Sequence, residues 1–125
     1  MKVNRADDIK LKLVEIIEKL EMNHINPDRI ICMRSTGSTS DATARIWSFP
    51  KIWQKALDLE SHYIIEVLAE KYDDLSEDDK QRTLIHELMH VPKTFSGALV
   101  PHKCFGKRID RRSVEKLFKE FKRKR

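Results

Sequence analysis

His86, Glu87 and His90 stand in the pattern H-E-x-x-H within the segment LIHELMH, and another histidine, His102, follows twelve positions after His90. Side chains four apart on a helix leave the same face, one turn above each other. His86 and His90 can therefore aim imidazole nitrogens at one point, as zinc requires of two ligands at roughly 2.0–2.1 Å. Glu87 is one residue along and is swung away from the metal itself. It still reaches a water held there, which is the place of a general base rather than of a ligand. Zinc lowers the pKa of that water to around 7, so a carboxylate can take its proton at neutral pH. The chemistry that suits this set is zinc-dependent hydrolysis of a peptide bond.

A catalytic zinc takes three protein ligands and leaves one position open. His102 is the expected third ligand. The intervening VPKTFSGALVP contains Gly97 and is long enough for the chain to turn back. Cys104, two residues further on, is a rival as a thiolate, although a lone cysteine more often serves as a small buried residue. Glu115 and Glu120 are the next downstream carboxylates and lie far along the chain. His24 and His62 carry no metal spacing and read as surface or packed residues. The run STGSTS lacks the G-x-x-x-x-G-K-[ST] pattern of a phosphate loop and reads as a turn. For a second donor to the oxyanion, Tyr63, Tyr72, Lys107 and Arg108 are all open alternatives.

A helix must carry the motif, and its limits are written locally. Ser76 can cap the start by accepting backbone N–H groups, with Asp79 three residues on in a capping-box position. Glu77, Asp78 and Asp79 bring negative charge to the first turn, where the helix dipole favours it. Pro92 disfavours helical geometry at Val91, so the helix ends around His90. Upstream, Ile9, Leu13, Ile16, Ile17 and Leu20 gather on one face of an expected helix over 6–22. Residues 29–34 and 44–49 read as strands, 35–43 as a polar loop, and 51–57 as two turns of helix. Residues 62–69 fit either period, since YIIEV has strand composition while Leu57, Ile64, Ile65, Leu68 and Tyr72 share a helical face; we favour a strand. A last helix is expected over 111–122, capped by Asp110, with Val114, Leu117, Phe118 and Phe121 on its apolar side.

The 125 residues suit one domain over 1–125, with 40% hydrophobic and 36% charged residues. No apolar run is long enough to span a bilayer, and the N-terminus lacks the apolar core of a signal peptide. Cys32 and Cys104 are too few and too distant for a disulfide framework. A reduced, cytoplasmic protein that does not enter membranes is the expectation. Charge is uneven: residues 101–125 hold eleven Lys/Arg against three Asp/Glu, a local +8 within a net +5. A solvated helix with a basic tail over about 122–125 explains this, and contact with nucleic acid is the sharper alternative.

IHELMH, the downstream His102 and the preceding YIIEVLAE together resemble the zincin-like metallopeptidases found in archaeal and phage proteins, and more distantly the SprT-like peptidase domains. The resemblance covers about 29–121, although only the H-E-x-x-H core is specific. It implies a small α+β zincin-like fold: an N-terminal helix, a small mixed sheet, the active-site helix and a C-terminal helix. It also implies that His86, His90 and His102 bind Zn2+ and that Glu87 is the catalytic base. A peptide or protein substrate would pair with an edge strand, either 44–49 or 62–69. The competing expectation is a non-catalytic module, with a structural zinc closed by a fourth ligand such as Cys104 and a nucleic-acid contact through its basic C-terminal region.

Overall fold

The apolar stripe of the first helix is matched by one face of a sheet. The computed structural model describes residues 1–104 and 107–124, with Cys104 and Lys107 described by their backbone alone. Helix α1 (Asp7–Lys19) buries Ile9, Leu13, Ile16 and Ile17. They meet Ile30 and Cys32 of strand β2 (Ile30–Thr36) and Tyr63, Ile65 and Val67 of β4 (Tyr63–Leu68) in one core. Fully burying each such Ile or Leu contributes roughly 1.5–3 kcal/mol. Helix α4 (Glu77–Met89) adds Leu84, Ile85 and Leu88 to the same core, which fixes the face that the intervening residues turn outward.

The sheet is mixed, in the order β1-β2-β4-β3. β1 (Lys2–Arg5) pairs antiparallel with β2, β2 runs parallel to β4, and β3 (Ala44–Ser48) pairs antiparallel with β4. β3 and helix α2 (Lys51–Leu57) lie on the connection between the two parallel strands. Because β4 is paired on both sides, the ambiguous segment is a central strand. The architecture is a small α+β arrangement of helices and a four-stranded mixed sheet, as the resemblance implied.

Several boundaries differ from the expectations in instructive ways. Residues 35 and 36 continue β2 instead of opening the polar loop, because Ser35 is fully buried between Val3 of β1 and Leu68 of β4. β1 gave no signal: its four residues are all exposed, and KVNR has a single apolar side chain. α1 stops at Lys19 because Glu21 takes a left-handed conformation, with φ 51°. The helical turn α3 (Ala69–Tyr72) begins directly where β4 ends. A two-strand hairpin, β5 (Lys103–Cys104) and β6 (Lys107–Arg108), precedes α5 (Arg111–Arg123). No helix among the described residues is long and apolar enough to cross a membrane.

The caps follow the local chemistry. The Ser76 hydroxyl accepts the Asp79 N–H at 3.1 Å, while the Asp79 carboxylate turns to Arg82 instead of completing the box. Asp110 makes the full reciprocal box with Ser113 and starts α5. That helix lays Val114, Phe118 and Phe121 into the core beside α4, with the Arg82 guanidinium 4.1 Å above the Phe118 ring.

One buried charge holds the outer strand to the sheet. Glu66 on β4 is 5% exposed, and its carboxylate accepts from Arg45 Nε at 2.7 Å and Trp47 Nε1 at 2.8 Å, both on β3. The Arg45 hydrogen bonds hold the Glu66 carboxyl down to about 2, against the opposing effect of burial. A carboxyl depressed in the folded state stabilises the fold above its unfolded value of 4.5 and loses that contribution as pH falls towards 2. Glu66→Gln should therefore cost about 2–3 kcal/mol at pH 7, and the gap to the parent should close between pH 4.5 and 2 in denaturant titrations. A gap that stays constant across that interval would show that the charge is not what matters.

Candidate metal centre

α4 presents Arg82, His86 and His90 at four-residue intervals along one side, with Thr83 and Glu87 beside them. His90 is the C-cap residue, so the chain leaves the helix as soon as the second imidazole is in place. It then reverses. Pro92 opens a turn in which the Phe95 N–H donates to the Pro92 carbonyl at 2.9 Å, and Phe95 and Gly97 both adopt positive φ.

Tyr63, the first residue of β4, anchors this return. Its buried hydroxyl accepts the Gly97 N–H at 2.9 Å and donates to the Ala98 carbonyl at 2.7 Å, while its ring packs edge-on to Phe95. Gly97 has no room for a side chain. A Cβ there would lie 2.3 Å from Gln54 Nε2 and 2.9 Å from the Phe49 carbonyl oxygen, at a φ of +94°. Val100 then locks to the helix end: its N–H donates to the His90 carbonyl at 2.7 Å, and its own carbonyl accepts from His90 Nδ1. Two residues later His102 arrives against His86.

The result is a cluster of three imidazoles. His86 and His102 bring their Nε2 atoms to 3.2 Å, and the ligand atoms of His86, His90 and His102 all lie within 4.8 Å of one another. Two nitrogens bound tetrahedrally at about 2.05 Å stand roughly 3.3 Å apart, so the His86–His102 pair fits a metal such as zinc. Because the Val100 carbonyl accepts a hydrogen bond from His90 Nδ1–H, Nε2 is left with the free lone pair, the usual way an outer hydrogen bond sets a ligand's tautomer. Burial lowers the His86 and His90 imidazoles below their ordinary value, and His102 lowers both further. That favours the neutral form a metal needs.

Glu87 is 8% exposed, and the described residues offer its carboxylate no hydrogen bond or cation. Burial alone pushes its carboxyl up to about 7. Glu87 and His86 face an open cleft of about 440 Å³ that is also lined by Thr43 and Ala44 and by Arg111, Val114 and Glu115 of α5. Ala44 begins β3, which among the described residues is paired only with β4, so the strand beside the cleft has a free edge there. Of the two strands proposed from sequence for that place, 44–49 lies at the edge and 62–69 does not.

The other sequence candidates lie elsewhere. Cys32 is buried in the core, its thiol pushed up to about 11 by burial, and the Cys104 side chain is outside the described residues. His24 lines a separate cavity behind α4, and His62 sits on its own loop with Nδ1 2.7 Å from the Glu60 carbonyl. Tyr63 is occupied with the return loop, Tyr72 is buried beneath Lys80, and Arg108 borders the His24 cavity. Lys107 is another side chain outside the described residues. None of Tyr63, Tyr72 and Arg108 lines the cleft. Arg82, Thr83 and Arg111 do, and were not singled out from sequence. Arg82 and Thr83 could have been, each standing four residues before a motif residue, whereas only tertiary packing brings Arg111.

A family model described as "Putative phage metallopeptidase" matches residues 1–122. The chain belongs to this family. No curated protein and no solved structure matches it. Membership of a metallopeptidase family and a three-histidine group able to hold a metal point the same way, and neither says which metal.

Because the return loop carries His102, its supports should tune metal affinity without touching a ligand. Tyr63→Phe leaves the buried Gly97 N–H, and the more exposed Ala98 carbonyl, without their partner, a loss of about 1–3 kcal/mol in stability. Metal affinity in that variant and in Gly97→Ala should fall roughly 10- to 100-fold in chelator competition. Parental affinity in both would detach the loop from the centre.

Proposed function

We propose that the chain is a single-domain zinc peptidase of the zincin type, with His86, His90 and His102 as ligands and Glu87 as the proton carrier. The observation that carries this reading is the convergence of three imidazoles beside a buried carboxylate that has no partner among the described residues, at a cleft flanked by a strand edge free among them. Zinc at this place would supply a Lewis acid that polarises the scissile carbonyl and acidifies water.

The chain's own residues do the rest. The free edge of β3 pairs with an extended peptide backbone and lays it along the cleft beside Ala44. Glu87, at the cleft wall, removes a proton from the attacking water. It then delivers that proton to the nitrogen of the leaving amine as the carbon–nitrogen bond breaks, so no net proton is gained or lost by the enzyme. Burial raises the Glu87 carboxyl to about 7, so the group can both take up and return a proton near neutral pH. The Val100 carbonyl holds the His90 ring in orientation throughout.

Purified protein should bind one equivalent of zinc, and His86→Ala and His90→Ala should each lose it in elemental analysis. Glu87→Gln should retain the metal while hydrolysis of a quenched-fluorescence peptide library falls about 10²- to 10⁴-fold. Full activity in Glu87→Gln would remove the residue from the mechanism, and full zinc content in both histidine variants would remove the site.

A further inference from the structure

The cleft contains two arginines with opposite electrostatic surroundings. Arg82 is satisfied: Nη1 meets Asp79 at 2.8 Å, Nε meets Glu115 at 2.9 Å, and its guanidinium covers Phe118. Glu115, the acidic group on the α5 wall, is thereby engaged as well. Arg111 is exposed and lines the same cleft as His86 and Glu87, yet it forms no hydrogen bond or ion pair among the described residues. The carboxylate nearest to it in sequence, Asp110, is directed to the Ser113 N–H in the helix cap.

The same asymmetry continues along α5. Arg112, Lys116, Lys119 and Arg123 recur at intervals of four, three and four residues, on one exposed side of the helix. This row extends over about 16 Å. None of the four is in an ion pair among the described residues, whereas Lys122 meets Asp78 and Lys124 meets Glu21 and Glu120. A shallow depression lined by Arg111, Arg112, Glu115, Lys116 and Lys119 adjoins the cleft, sharing Arg111 and Glu115 with it. Folding does not call for this placement. Arg111 and Arg112 occupy the first turn of α5, where the helix dipole disfavours positive charge; the acidic cap Asp110 precedes them, and the turn itself holds no acidic residue.

We propose that Arg111 is a specificity-determining residue that binds a carboxylate of the peptide on the side of the scissile bond facing α5, and that the row from Arg112 to Arg123 holds an acidic segment beyond it. The inference rests on the peptide-cleft reading above. Its chemistry is that of guanidinium and carboxylate: a planar fork of N–H donors matches two carboxylate oxygens, and a partly enclosed cleft strengthens the pair relative to open solvent. The carboxylate belongs either to an Asp or Glu side chain or to the peptide's C-terminus. An acidic polypeptide is favoured over nucleic acid because the unpartnered arginine lines the wall of the cleft that holds Glu87 and His86, where an extended peptide lies.

The test is fluorescence anisotropy with zinc-loaded Glu87→Gln protein and rhodamine-labelled ten-residue peptides: acidic, uncharged and basic, each with a free or an amidated C-terminus. Acidic peptides should bind about tenfold more tightly than uncharged ones, and added salt should erode the difference. Arg111→Gln should abolish most of the preference, Arg111→Lys should restore part of it, and Arg111→Glu should turn it towards basic peptides. Lys116→Gln with Lys119→Gln should weaken only peptides whose acidic residues extend beyond the cleft. If the C-terminus is the source, uncharged peptides with a free terminus bind and their amides do not; if a side chain is, amidation changes nothing. Affinity that is the same for all charges and unchanged by amidation, or a preference that survives Arg111→Gln, would overturn the proposal. So would a single-stranded oligonucleotide that binds more tightly than the acidic peptides and is indifferent to Arg111. Because binding is read without turnover, absence of hydrolysis in the parent enzyme would defeat the peptidase reading and leave this result separately legible.

Discussion

Eleven residues separate His90 from His102, and within them the backbone must reverse without leaving its polar groups stranded in the core. The rest of the site depends on that closure. A helix can supply two imidazoles by its own periodicity, but the third comes from a segment with no regular structure, which has to be held by specific hydrogen bonds. Tyr63 supplies two of them from the start of a central strand, and Val100 supplies two more at the helix end. The sheet therefore positions the three-histidine cluster from behind, through the loop, while α4 positions it from the side.

Two buried glutamates show how one side chain serves opposite ends in this fold. Glu66 is surrounded by the Arg45 guanidinium and the Trp47 indole N–H, stays ionised, and joins the edge strand to its neighbour. Glu87 is similarly hidden but lacks any such partner among the described residues, so burial alone raises its carboxyl towards neutrality. Burial with compensation contributes to structure; burial without it costs stability and leaves a group able to exchange protons. The two are linked through β3, since the strand that Glu66 secures is also the one whose edge borders the cleft.

The parts legible in the sequence were those written in local chemistry. Ser76 and Pro92 bracket α4, and the four-residue interval places His86 and His90 together without reference to the rest of the chain. The strand at Tyr63–Leu68 was harder, because a central strand is apolar on both faces and loses the alternation that marks a half-exposed one. β1 was invisible for the opposite reason: an exposed edge strand is held by backbone pairing, which leaves little trace in side-chain type. The return of His102 was readable as a length that permits closure, but the Tyr63 anchor was not, since a hydroxyl 34 residues away in the chain has no periodic relation to Gly97. Arg111 belongs with that second group, as only packing brings it beside Ala44 of β3 and the α4 residues of the cleft.

X-ray absorption at the metal edge of the purified protein tests the central claim most directly, because it reads the ligand atoms themselves. The account predicts zinc with three imidazole nitrogens and one further light oxygen donor at about 2.0–2.1 Å, with no sulfur in the shell. A zinc–sulfur distance near 2.3 Å would instead place Cys104 on the metal and make the site a closed, structural one. A shell with fewer than three imidazoles would separate His102 from the centre and contradict the account.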